Sequence, residues 1–114
     1  MGTISYAGES PIDLKATRTT GNSYQVENRF GGQFAPWIDV GVWLIGGRDQ
    51  RCVELKAFST DNGVSLVGIV RYDSESSIAF SAKLSDGVAY LVENQWGGDT
   101  TTWHPGGMWV FGGP

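Results

Sequence analysis

The segment Val92-Glu93-Asn94-Gln95-Trp96-Gly97-Gly98 closes an alternating stretch and then sets an indole beside two glycines. Glycine admits positive φ and lets a ligand come close to the backbone. An indole at such a loop offers a flat apolar face with a wet edge, which suits the C–H face of a sugar ring. Two carboxylates keep a fixed distance from an aromatic: Glu9 stands twenty-one residues before Phe30, and Glu75 twenty-one before Trp96. A lone glutamate after a turn is usually a solvated loop residue. Its recurrence at one spacing makes it a candidate hydrogen-bond acceptor. Trp37, Trp43, Trp103 and Trp109 read instead as core residues. His104 follows Trp103 in a polar loop and reads as incidental. With no second histidine and one cysteine, neither a metal site nor any other cofactor is expected.

That spacing recurs because the chain repeats itself. Tyr6, Glu9, Ser10 and Ile12 return as Tyr72, Glu75, Ser76 and Ile78, and Val26-Glu27-Asn28 returns as Val92-Glu93-Asn94. Trp37 and Trp43 return as Trp103 and Trp109. Across 1–48 against 67–114 the offset of sixty-six never slips, with 18 identities in 48 pairs. A register without gaps means a duplicated supersecondary unit, so both copies should fold alike. The stretch 49–66 has no second copy. The 114 residues are expected to form a single barrel domain.

The alternation has period two. Ile12, Leu14 and Ala16 alternate with Asp13, Lys15 and Thr17, and Ile78, Phe80 and Ala82 with Ala79, Ser81 and Lys83. Each is a strand with one buried face. Thr20-Gly21-Asn22, Asp61-Asn62-Gly63 and Ser85-Asp86-Gly87 supply hairpin turn chemistry. Strands are predicted near 2–7, 12–18, 23–29, 37–46, 51–58, 64–73, 78–84, 88–95 and 108–112. The expected fold is all-β: a compact antiparallel barrel of about nine strands from two tandem repeats, the second one strand short. A barrel short of a strand leaves bare edges, which invite pairing, so a homodimer through those edges is expected.

Composition removes other classes. Gly is 17 of 114, roughly twice the usual share of about 7%, which fits many tight turns. The net charge is -4 with no basic cluster, which argues against nucleic acid as a partner. Neither an apolar run long enough to span a bilayer nor a polybasic anchor is present, so no membrane insertion is expected. No targeting segment is visible at the N-terminus. A lone Cys52 suits a reducing compartment. The protein is therefore expected in the cytoplasm, or released without a signal peptide.

Longer stretches carry a resemblance. Residues 3–12, Thr-Ile-Ser-Tyr-Ala-Gly-Glu-Ser-Pro-Ile, and 22–28, Asn-Ser-Tyr-Gln-Val-Glu-Asn, resemble the repeat of the Oscillatoria agardhii agglutinin family. So do 94–98, Asn-Gln-Trp-Gly-Gly, and 43–48, Trp-Leu-Ile-Gly-Gly-Arg. The resemblance covers essentially the whole chain, with the segments in order. It implies a β-barrel lectin that binds high-mannose glycans, with agglutinating and antiviral activity. It further implies a carbohydrate site of Arg48, Glu75, Ser76, Trp96 and Gly97. There Trp96 would stack on a mannose ring, Glu75 accept from hydroxyls and Arg48 donate to oxygens. A weaker second site would use Glu9, Ser10, Phe30 and Gly31, with Pro114 where the first site has Arg48. The implied partners are N-glycans on viral envelope or cell-surface glycoproteins. Two rivals differ in class. A glycoside hydrolase acting on mannosides needs two carboxyls about 5–10 Å apart. A non-carbohydrate interaction module needs no sugar at all.

Overall fold

A computed structural model describes residues 2–46, 51–96 and 102–111. Nine strands run in order: β1 Gly2–Tyr6, β2 Ile12–Thr20, β3 Ser23–Arg29, β4 Trp37–Leu44, β5 Cys52–Ser59, β6 Ser65–Tyr72, β7 Ile78–Asp86, β8 Ala89–Gln95 and β9 His104–Val110. They close into a barrel in the order β1-β2-β3-β4-β9-β8-β7-β6-β5. Eight of the neighbouring pairs are antiparallel, and the ring is sealed by a parallel pair, β1 against β5.

Two expectations change here. The barrel is closed, so each of the nine strands has two neighbours and the bare edges expected to support a homodimer are not there. The last strand begins at His104 rather than near residue 108. Pro105-Gly106-Gly107 reads as turn chemistry in isolation. The strand forms because β8 pairs along it, Asn94 opposite His104 and Glu93 opposite Pro105.

The duplication is visible residue by residue. β2 and β7 occupy equivalent positions, as do β3 and β8, each pair sixty-six apart. The β-bulges repeat too: one between Arg18 and Thr20 answers one between Leu84 and Asp86, and one at Val26/Glu27 answers one at Val92/Glu93. Bulges sharpen the local bend that lets a sheet close on itself. β4 and β9, also equivalents, are antiparallel and meet where Leu44 faces Val110. Those two residues are themselves counterparts, so the approximate two-fold axis relating the copies passes between them.

Inward-facing side chains fill the barrel, as the alternation requires. Leu14, Tyr24, Val26, Leu55, Leu66, Val70, Phe80 and Trp109 are buried. Phe111 gathers an aromatic cluster, with ring centroids 5.5 Å from Tyr90, 5.7 Å from Trp109 and 6.1 Å from both Trp43 and Phe80. Aromatic rings at such spacings add to the stability from area burial alone. Cys52 is buried, and desolvation pushes its thiol up to about 11. It therefore stays protonated at neutral pH and has no nucleophilic character.

The core reading holds for Trp43 and Trp109, exposed by 3% and 0%. It fails for their neighbours. Trp37 lies on the outer surface beneath two cations, Lys15 Nζ 4.7 Å and the Arg29 guanidinium 4.5 Å from its ring centre. Trp103 is 39% exposed. A β-bulge lies between each of them and its buried partner, at 39–41 and at 105–107, and it reverses the inside–outside alternation on the far side.

Candidate functional site

Strand direction sorts the candidates onto the two ends of the barrel. β6 and β8 run the same way, so the turn after Tyr72 and the exit from Gln95 emerge together. Gln95 faces Ala79 across the β7–β8 ladder, which sets Trp96 beside the residues that follow the Glu75-Ser76 turn. That turn is tight. The Glu75 N–H donates to the Tyr72 carbonyl at 3.1 Å, and Ser74 takes a positive φ of 65°. The first copy builds the same turn, Glu9 N–H to Tyr6 carbonyl at 3.0 Å, with Gly8 at φ 82°. Glycine costs nothing in that conformation, whereas a serine is strained.

The described residues that flank 47–50 lie at the same end. Asp73 donates its N–H to the Arg51 carbonyl at 3.0 Å, tying the base of the Glu75 turn to Arg51. Both flanks are pinned. On one side the Asn22 amide donates to the Gly46 carbonyl at 2.6 Å. On the other the Cys52 N–H donates to the buried Tyr24 hydroxyl at 2.7 Å. Arg48 and Gly97 themselves lie outside the described residues, as does Pro114. Glu75, Ser76 and Trp96 are thus brought to one end, and the flanks of the other two converge there.

Trp96 is 45% exposed, an unusual state for the largest apolar side chain. Its ring centre lies 4.7 Å from that of His104, at an interplanar angle of 49°. His104, set aside as incidental in the sequence, backs the indole. The signal that could have found it is the repeat. Asn28 faces Ile38 in the first copy, so Asn94 must face His104 in the second, directly beneath the loop that Trp96 opens.

The second set sits at the opposite end. Ala7 donates its N–H to the Ser59 carbonyl at 2.9 Å, so the Glu9 turn hangs on the far end of β5 from the Glu75 turn. β5 has 8 residues. At a rise of about 3.3 Å per residue, roughly 25 Å of strand separates the two turns. The second set is also less concentrated. Glu9 borders a hollow of about 390 Å³ with Asn62, Leu84 and Tyr90, while Phe30 borders a cavity of about 210 Å³ with Asn28, Trp43 and Phe111. Tyr6 is common to both. Ser10, Phe30 and Gly31 are exposed.

Two carboxyls about 5–10 Å apart are needed across a glycosidic bond, and Glu9 and Glu75, on turns at opposite ends of β5, are not such a pair. Among the described residues no three His, Cys, Asp or Glu side chains form a metal-binding group. The described residues at that end include a half-exposed indole and a carboxylate-bearing turn.

Fold and site together define a lectin-type β-barrel. The family model for the OAA-family lectin sugar binding domain matches residues 22–85 and 88–113. The myxobacterial hemagglutinin of Myxococcus xanthus is 46% identical over 112 residues, which is 97% of this chain and 42% of that protein. A glycan-bound lectin from Pseudomonas taiwanensis superposes with a TM-score of 0.73 at 48% identity, covering 81% of this chain and 70% of that one. The Myxococcus xanthus hemagglutinin in complex with α3,α6-mannopentaose gives 0.63 at 27% identity, covering 93% and 65%. The chain belongs to the OAA family of lectin sugar-binding domains. These relatives are lectins and agglutinins rather than enzymes. The chain spans 42% of the length of that hemagglutinin and 68% of that of the Planktothrix agardhii lectin OAA.

Proposed function

We propose that this chain is a carbohydrate-binding lectin for branched oligomannose, the high-mannose glycans of viral envelope or cell-surface glycoproteins. Trp96 stacks on a mannose ring with His104 behind it. Glu75 accepts hydrogen bonds from sugar hydroxyls, Ser76 lies on the same turn, and Arg48 and the Gly97 N–H donate. The carrying observation is the meeting of the Glu75-Ser76 turn and the half-exposed Trp96 at one barrel end. The mannopentaose-bound relative supports the choice of sugar.

Recognition of one ring is weak, because the site is open and stripping water from hydroxyls offsets much of the gain. Agglutination and any antiviral effect then require several sites on one glycan-bearing surface. Glu9, Ser10, Phe30 and Gly31 form the weaker site. Phe30 presents a smaller face than an indole and no N–H. Because the barrel has no bare edge, self-association is not needed to complete it, and a homodimer would act only by raising valency.

Isotope-labelled protein titrated with α3,α6-mannopentaose tests the assignment. The Trp96 indole N–H and the backbone of 74–77 should shift first, with residues around Phe30 responding only at higher sugar. Shifts confined to the outer faces of the strands, or to the Phe30 end alone, would refute it.

A further inference from the structure

The offset that relates the two copies also compares their outer walls. On the first wall the charges are knitted together around Trp37. Lys15 faces Glu27 across the β2–β3 ladder, and its Nζ lies 3.4 Å from Glu27 Oε1. Arg29 donates to Asp13 Oδ2 from Nε at 3.0 Å and from Nη2 at 2.8 Å. Gln25 donates to Asp39 Oδ1 at 2.6 Å. Both cations lie over the Trp37 ring, which is partly buried.

The second wall keeps the tryptophan and one carboxylate and loses the rest. Trp103 and Glu93 answer Trp37 and Glu27, but Ala79, Ser81 and Gln95 stand for Asp13, Lys15 and Arg29. Leu91 and Pro105 stand for Gln25 and Asp39, and one charge is new, Lys83 in place of Thr17. Among the described residues no cation covers the exposed Trp103. Glu93 and Lys83 are both exposed and form no ion pair among the described residues. Where the first copy has its long polar side chains, the second has a hollow of about 420 Å³ bordered by Ser81, Lys83, Leu91, Glu93 and Pro105.

Strand register sets the spacing of these groups. Glu93 faces Ser81, and Lys83 faces Leu91, so carboxylate and ammonium are borne by diagonal neighbours on one face, about 7–8 Å apart at the backbone. Glu93 also faces Pro105, and Trp103 lies two residues before Pro105, on the side away from Lys83. Opposite charges are thus held apart across apolar surface, with an aromatic face beyond the negative one. An ammonium group at Glu93 restores the charge that Lys15 supplies in the first copy, beside an indole that favours cations. A methylene chain covers Leu91 and Pro105 as a lysine stem does. A carboxylate at the other end of that chain meets Lys83 in a charge-assisted hydrogen bond.

We propose that this hollow on the β7–β9 wall binds a linear ω-amino zwitterion, its ammonium between Glu93 and Trp103 and its carboxylate on Lys83. A free ω-amino acid and the C-terminal lysine of a polypeptide carry that same chemistry. The inference does not rest on the sugar assignment, and mannopentaose binding should be unchanged in the variants named below. The isotope-labelled chain is titrated at low salt with ε-aminocaproate. The Trp103 indole N–H and the amides of Lys83 and Glu93 should shift together and saturate. n-Pentylammonium and hexanoate, with one charge each, should bind at least about threefold more weakly. Glu93→Gln and Lys83→Gln should each weaken the zwitterion by at least that factor. So should Ser81→Lys, which rebuilds the pair that Lys15 makes with Glu27. Displacement of ε-aminocaproate by a peptide ending in lysine, but not by its amidated form, assigns the polypeptide source; no displacement by either assigns the free amino acid. No saturable shift, an equal response to the single-charge probes, or unchanged binding in Glu93→Gln would overturn the proposal.

Discussion

Residue by residue, the two copies are a natural substitution experiment. Both build the same turn at Glu9 and Glu75, closed by the same hydrogen bond. What differs is the aromatic that follows, Phe30 in one and Trp96 in the other, and the residue opposite the preceding asparagine, Ile38 against His104. Replacing Trp96 by Ala should therefore abolish binding to immobilised mannan, while Phe30→Ala should leave most of it. A stacked ring contributes about 0.5–1.5 kcal/mol beyond the apolar area it buries, and with that area lost as well the first loss should exceed about tenfold. Losses of equal size would overturn the ranking of the ends. Trp96 and Glu75 could be paired as candidates because their separation recurs. Arg48, Ser76 and Gly97 entered only through the family resemblance. His104 could not be read from type, since a histidine in a polar stretch carries no signal until strand pairing sets it against an indole.

At the level of elements, turns decide how well those residues are held. The turn between β5 and β6 shows how short polar residues do this. The Ser59 hydroxyl accepts the Gly63 N–H at 2.8 Å and donates to Asp61 Oδ1 at 2.9 Å. Asp61 Oδ1 also accepts the Ser65 N–H at 2.8 Å, and Tyr90 donates its hydroxyl to the Gly63 carbonyl at 2.6 Å. The Ser65 N–H, helped by the hydroxyls of Ser59 and Ser65, lowers the Asp61 carboxyl below its ordinary value. A depressed carboxylate stabilises the fold above the unfolded-state pKa, and that contribution disappears as pH falls through the folded-state value. The urea midpoint of the native chain should therefore drop more between pH 7 and about pH 3 than that of Asp61→Asn, since ordinary aspartates titrate near pH 3.9. Parallel acid losses in the two proteins would exclude a role for this carboxylate. Strand positions were largely legible, because period-two alternation and turn residues are local signals. The start of β9 was not. Pro105 and two glycines argue against a strand locally, and only the ladder to β8 makes them one.

For the molecule as a whole, duplication made an all-β barrel legible, whereas closure was not. From the sequence, an unmatched strand implied an open edge. The chain instead seals itself with a parallel pair, because backbone groups left unpaired beside a core cost more than a less favourable ladder. Closure holds the two sets of candidate residues at opposite ends, about 25 Å apart along β5. Two ends that face apart suit bridging of separate glycans rather than concerted attack on one bond. The unequal furnishing of those ends implies one dominant site per chain.

Isothermal titration of the chain with α3,α6-mannopentaose measures that directly, since it returns affinity and stoichiometry together. The expected result is one dominant binding event per chain, its heat lost in Trp96→Ala and retained in Phe30→Ala. Absence of heat from the native chain, or an unchanged isotherm in Trp96→Ala, would contradict the account.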